Sequence, residues 1–223
     1  MKNKIKGFIF DLDGTLTLTQ QLHYLALREV FSRYGIKYTQ KEDQEKFSGK
    51  GSKFTCEQVL KAAGKNPSPT DIEKCADQKK DLYNQIIAST KIPPVPGIKT
   101  FLETARQKGI RMIVATGNKL DAAKMLLDKA GIGKFFNKII SQSDVKNQKP
   151  APDIFLLAAN KLNLPPEECI VFEDSINGVT AAKAGHITCV ALTTGSPAKA
   201  LLKAGAALTI SNYKDQRLKK LFN

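Results

Sequence analysis

Six short runs of apolar, largely β-branched residues, each stopped by a polar residue or a turn, constrain this chain more than any other feature. They are IKGFIF (5–10), IRMIVA (110–115), KIIS (138–141), CIVFE (169–173), ITCVAL (187–192) and AALTI (206–210). Apolar runs of this length fit strands buried on both faces of a parallel sheet. Helical patterns lie between them. Leu120 to Ala130 carries Ala123, Leu126, Leu127 and Ala130 on one face, Asp153 to Leu162 starts after Pro152, and Ile176 to Ala184 stops at Gly185. The alternation predicts an α/β fold with a doubly wound, Rossmann-like parallel sheet.

The stretch 18–91 breaks the alternation and shows no strand pattern. Tyr24, Leu27, Phe31 and Tyr34 recur at helical spacing, and further helical patterns run near 54–63 and 70–88. NPSPT (66–70) reads as a loop with a helix cap at Thr70, and KIPPVPG (91–97) as a stiff connector. The expected organisation is an α/β core of 1–17 plus 92–223, with an inserted all-α helical cap domain at 18–91. The two connectors, near 16–20 and 91–97, are expected to let the cap move.

At 223 residues the chain can bury one large domain plus a small inserted one. Its net charge is +14, but the basic residues are spread without a dense run or interleaved aromatics. That favours a solvated basic surface over a nucleic-acid partner and leaves room for a basic active site. Cys56, Cys75, Cys169 and Cys189 form no C-x-x-C pair, and His23 and His186 are the two histidines, so a zinc site is not expected. Free thiols in apolar runs suggest a cytoplasmic setting. The apolar stretch before Asp11 is too short for a signal peptide, and no segment reaches membrane-spanning length. A monomer is expected.

In an open parallel sheet, ligands bind beyond the carboxyl ends of the strands. Asp11 and Asp13, Thr116, Lys149, and Glu173 with Asp174 fall at such ends or just after them. A carboxylate nucleophile attacking a phosphate dianion needs a cation beside it. Asp11 and Asp174 could hold Mg²⁺, with Lys149 as a second cation and Thr116 on the phosphate oxygens. Asp13 could protonate the leaving oxygen and then deprotonate water, and Gly14 permits a tight turn after the pair. Each residue also has a plain reading, as a helix cap or a solvated acid; the ordered set carries the inference.

That set resembles the haloacid dehalogenase-like phosphohydrolases, in the branch similar to β-phosphoglucomutase with a small helical cap. FDLDGTL (10–16), VATGN (114–118), KPAPDIF (149–155) and VFEDSINGV (171–179) resemble the four motifs in order, across essentially the whole chain. The resemblance implies Mg²⁺ bound by the side chains of Asp11 and Asp174 and the backbone carbonyl of Asp13, with Glu173 acting directly or through water. It implies substrate contacts at Leu12, Gly117, Asn118 and Lys119, and cap contacts at His23, Gly49, Lys53 and Lys79. Plain readings remain for His23, as a packed ring, and for Lys79, on a solvated face. Leu18 and Gln21 stand where the branch often has acids, Ser52 where β-phosphoglucomutase has an arginine, and Leu120 where it has an asparagine.

The implied activity is hydrolysis of a small phosphate monoester, such as a sugar phosphate, through an aspartyl-phosphate. A β-phosphoglucomutase-type transfer and a catalytically silent anion- or nucleic-acid-binding protein are the alternatives. Asp13 argues against a dehalogenase, and the helical insert against a two-component receiver. GKGSK (49–53) does not complete a phosphate-binding P-loop.

Overall fold

The computed structural model describes residues 4–47 and 50–222. In chain order the elements are β1 (Gly7–Phe10), α1 (Gln20–Arg33), α2 (Gln40–Glu42), α3 (Ser52–Ala62), α4 (Pro69–Ser89) and α5 (Ile98–Gln107). Next come β2 (Arg111–Ala115), α6 (Leu120–Lys129), β3 (Ile139–Ile140), α7 (Asp153–Lys161), β4 (Cys169–Glu173), α8 (Ile176–Ala184), β5 (Thr188–Leu192), α9 (Ala198–Ala204) and β6 (Leu208–Ile210). The chain divides into two compact units, Met1–Leu18 with Ile92–Asn223, and Thr19–Lys91.

The first unit holds a parallel six-stranded sheet in the order β3-β2-β1-β4-β5-β6. This is the doubly wound Rossmann-like order, and the winding reverses between β1 and β4. The six expected strands are all present, five of them trimmed by one or two residues. Phe10 lies opposite Phe172 in the register, and the Asp11 amide donates to the Phe172 carbonyl at 2.9 Å. Asp11 and Glu173 therefore leave the sheet side by side at the reversal point.

Strand alternation decides which way these side chains face. Ile9 and Val171 pack into a cluster with Phe155 and Ala158 of α7 and Val179 and Ala182 of α8. Phe10 and Phe172 point to the other face, stacked with centroids 4.9 Å apart and packed against Phe101 and Tyr213. Asp11 and Glu173 share the parity of Ile9 and Val171, so they continue the α7–α8 face where the apolar cluster ends.

Within the first unit the two connectors pair with each other. Leu18 donates its amide to the Pro93 carbonyl at 2.9 Å, and Val95 to the Leu16 carbonyl at 3.0 Å.

The second unit is helical. Tyr24, Leu27, Val30 and Phe31 of α1 pack with Cys56, Val59 and Leu60 of α3 and Cys75 of α4. One local expectation is corrected. The cap of α4 is Ser68, not Thr70: Pro69 takes the first helical position, and the Ser68 hydroxyl accepts from the Asp71 amide at 3.2 Å, closing a capping box. α8 runs from Ile176 to Ala184 and stops at Gly185 as expected, and the residue that turns left-handed is the following His186, with φ 56°.

Candidate active site

Asp11 is buried at the tip of β1, and Lys149 Nζ donates to its Oδ1 at 2.6 Å. The same ammonium donates to Glu173 Oε1 at 2.8 Å and lies 4.7 Å from the centroid of the Phe155 ring. Burial pushes the Asp11 carboxyl up to about 7, against the pull of Lys149 and with the help of Glu173 and Asp13. Burial also works against the Lys149 charge, but Asp11 and Glu173 outweigh it and raise its pKa.

Glu173 is tied on both oxygens. Its Oε2 accepts from the backbone amides of Asp174 and Ser175, each at 2.7 Å, and from the Ser175 hydroxyl at 2.9 Å. Ser175 also caps α8, accepting from the Gly178 amide at 3.0 Å. The plain reading that Glu173 or Asp174 caps this helix therefore does not hold.

One carboxylate oxygen from each of Asp11, Glu173 and Asp174 lies within 4.8 Å of the others, and all three residues are buried. Lys149 is bonded to two of these three buried carboxylates, and their hard oxygen donors suit Mg²⁺. Two glycines make room for this cluster. A Cβ at Gly178 would lie 1.8 Å from Glu173 Oε1, and one at Gly195 would lie 2.2 Å from Asp174 Oδ2. The donor set and the space around it fit a small divalent cation.

Asp13 follows Asp11 by two residues and accepts through Oδ2 from the Asn118 side-chain amide. The turn closes at Gly14, whose φ of 78° suits glycine, and Thr194 Oγ1 donates to its carbonyl at 2.6 Å. Thr116 is buried at the end of β2, and its Oγ1 accepts from the Asn118 amide at 3.1 Å. Thr116 caps no helix; Lys119 occupies the N-cap position of α6.

A family model of haloacid dehalogenase-like hydrolases matches residues 5–186, a span that contains every one of these groups except Thr194 and Gly195. This chain is a haloacid dehalogenase-like hydrolase. The protein CbbY of Cereibacter sphaeroides is 32% identical over 192 residues, covering 83% of each chain. The phosphorylated carbohydrates phosphatase of Thermotoga maritima is 31% identical, covering 92% of this chain and 94% of its own. The crystal structure of β-phosphoglucomutase from Clostridium difficile matches with a TM-score of 0.78 at 28% identity, covering 98% of this chain and 97% of the other.

The remaining expected residues of this hydrolase are distributed as follows. The Leu12 side chain is fully buried, so its backbone is what it can offer a ligand. Gly117 and Lys119 are exposed beside Asn118. Lys53 is exposed and paired with Glu73 at 2.5 Å. Gly49 lies outside the described residues. Lys79 is only 7% exposed, which overturns the solvated-face reading. Its Nζ donates to His23 Nδ1 at 2.7 Å, and the His23 ring stacks on Tyr83 with centroids 4.0 Å apart. The Tyr38 hydroxyl donates to Asp43 at 2.6 Å, and His23 and Lys79 act electrostatically on that carboxyl. Sequence reasoning passed over Ser175, Thr194 and Gly195. Ser175 stood inside a quoted motif, and TTGS (193–196) follows a strand end, so both carried a usable signal.

Proposed function

We propose that this hydrolase is a Mg²⁺-dependent phosphatase that cleaves a small phosphate monoester, most readily a sugar phosphate, through an aspartyl-phosphate on Asp11. The observation that carries the reading is the Lys149 ammonium bonded to Asp11 within a buried carboxylate trio, with Asp13 two residues on. Phosphorylated carbohydrates are what the Thermotoga maritima relative is named for.

Bound Mg²⁺ supplies positive charge that offsets the repulsion between the Asp11 carboxylate and the phosphate dianion. The groups that would hold it are the side chains of Asp11 and Asp174 and the Asp13 carbonyl, with Glu173 direct or through water. Asp11 Oδ attacks phosphorus as the ester oxygen leaves, and Asp13 donates a proton to that oxygen. Water then attacks the aspartyl-phosphate while Asp13 takes its proton, which releases phosphate and restores Asp11. Lys149 and the Thr116 hydroxyl stabilise the transferring oxygens, together with the amides of Leu12, Gly117 and Asn118 and the Lys119 side chain. Asn118 holds Asp13 ready for both proton transfers.

The unit Thr19–Lys91 is assigned the role of cap, with His23, Gly49, Lys53 and Lys79 selecting the distal part of the substrate. A monomer in a cytoplasmic setting accords with four free thiols. The structural likeness to β-phosphoglucomutase supports a phosphomutase as the second reading. Phosphate release from a panel of sugar phosphates, nucleotides and phosphoglycolate, with and without Mg²⁺, tests the proposal. Mg²⁺-dependent release with turnover supports the phosphatase. Conversion of β-glucose 1-phosphate without net release supports the mutase, and no turnover of any ester sinks both.

A further inference from the structure

Cys56 on α3 and Cys75 on α4 are fully buried free thiols, and Cys75 Sγ donates to Cys56 Sγ at 2.6 Å. They sit in the apolar cluster formed by α1, α3 and α4. The ionisable groups acting on them include Lys79, one turn beyond Cys75 on the same buried stripe of α4, and the Tyr34 and Tyr38 hydroxyls. The other two cysteines differ in setting. Cys169 and Cys189 lie in the sheet core on β4 and β5, where Cys189 sits opposite Val171 and not opposite Cys169. Nothing in the proposed hydrolysis uses the α3–α4 pair.

We propose that Cys56 and Cys75 are a redox-responsive dithiol, closed by a small-molecule disulfide such as oxidised glutathione into an intramolecular disulfide that ties α3 to α4. The Cys75 thiolate attacks one sulfur of the glutathione disulfide and displaces one glutathione thiolate, leaving a mixed disulfide at Cys75. Cys56, as its thiolate, attacks the Cys75 sulfur and displaces the second glutathione. Both protein thiols are oxidised to one disulfide, two glutathiones are reduced, and the two protons end on their thiols. Cys75 suits the first step because the hydrogen bond with Cys56 lowers its pKa, the Cys56 hydrogen turning towards the thiolate once it forms. Since both sulfurs are buried, the first attack waits on a local opening of α3 from α4. The exposed Lys53–Glu73 pair contributes little against that opening. The two thiols lie 19 positions apart in sequence, and the segment between them includes Pro67 and Pro69.

The test uses the full chain, equilibrated in glutathione buffers from fully reducing to fully oxidising until no further change occurs. Waiting for equilibrium removes the slow opening as a variable. Remaining thiols are then alkylated under denaturing conditions, and the digest is read by mass spectrometry without reduction. The expected result is a Cys56–Cys75 linked peptide, lighter by two hydrogens, that approaches completeness at the oxidising end while Cys169 and Cys189 stay alkylated. Cys56→Ser removes the linked species entirely. Four alkylated cysteines in the most oxidising buffer, glutathione caps on Cys56 or Cys75 without a cross-link, or a cross-link through Cys169 or Cys189 would each overturn the proposal.

Discussion

Lys149 Nζ donates to Asp11 Oδ1 across 2.6 Å, although 138 residues separate the two in the chain. The same nitrogen holds Glu173, so one ammonium compensates two buried carboxylates. Lys149→Met keeps the length of the stem and deletes the charge. Breaking a buried pair by removing one partner costs about 3–5 kcal/mol, because it strands the other charge. We expect a loss of that order at pH 8. At pH 5 the loss shrinks, because Asp11 can take a proton instead. Urea unfolding at the two pH values measures both, and an equal loss at each would contradict the coupling. Phosphate release should fall by at least about 10²-fold, as for removal of one preorganised donor.

Asp11→Asn tests the nucleophile with little change in shape. An amide cannot form the aspartyl-phosphate, and knockouts of a covalent nucleophile cost up to ~10⁶-fold. A drop of at least ~10⁴-fold in Mg²⁺-dependent phosphate release is expected, with the circular dichroism spectrum unchanged. Lys149 keeps Glu173 as its partner, so the fold should survive. Turnover within tenfold of the parent would remove Asp11 from the mechanism.

The Asp11 carboxyl is pushed up to about 7 by burial, against an ordinary value of 3.8. Between those values the metal-free folded protein holds a proton that the unfolded chain has shed. Its contribution to stability is full below about pH 4 and is lost as pH rises through 7. A divalent cation must displace that proton. Mg²⁺ affinity should therefore rise from pH 6 towards 7, by up to about tenfold per unit, and level off above it. Calorimetry near pH 6.5, in two buffers of different ionisation enthalpy, should detect proton release. A pH-independent affinity would take Asp11 out of the metal set.

The sequence made the strand ends legible because burial on both faces writes itself as an unbroken apolar run, and the polar residue that stops each run marks the sheet edge. Asp11, Thr116 and Glu173 could be placed that way. Lys149 could not be paired from local pattern alone; its partners come from sheet topology. The helical unit was harder to read. His23 meets Lys79 across 56 positions and Cys56 meets Cys75 across 19, through helix packing that leaves no short-range signal. Lys79 misleads in particular, since a lysine on a helix is usually solvated and here its charge is buried against His23 and Tyr83. The Thr70 cap failed for a smaller reason, because Pro69 suits the first helical position and moves the cap back to Ser68.

Gly178 and Gly195 let the Glu173 and Asp174 carboxylates be disturbed one at a time. Alanine at Gly178 sits inside α8, where propensity alone would favour it by about 1 kcal/mol. Its Cβ would nevertheless overlap Glu173, whose Oε2 carries three donors and whose Oε1 carries Lys149. Moving that carboxylate unpairs several buried groups at once, so Gly178→Ala should lower the melting temperature. Alanine at Gly195 overlaps Asp174 instead, its Cβ lying 2.2 Å from Oδ2, 2.7 Å from Cγ and 3.0 Å from the backbone carbonyl oxygen. Gly195→Ala should displace the Asp174 carboxylate and weaken Mg²⁺ binding by about 10–100-fold, the usual cost of disturbing what orients a metal ligand. Raised Mg²⁺ should restore most of the Gly195→Ala activity and little of the Gly178→Ala activity. Mg²⁺ titrations of phosphate release on both variants, beside their thermal melts, give the comparison. Unchanged Mg²⁺ dependence in Gly195→Ala would mean that Asp174 does not hold the cation.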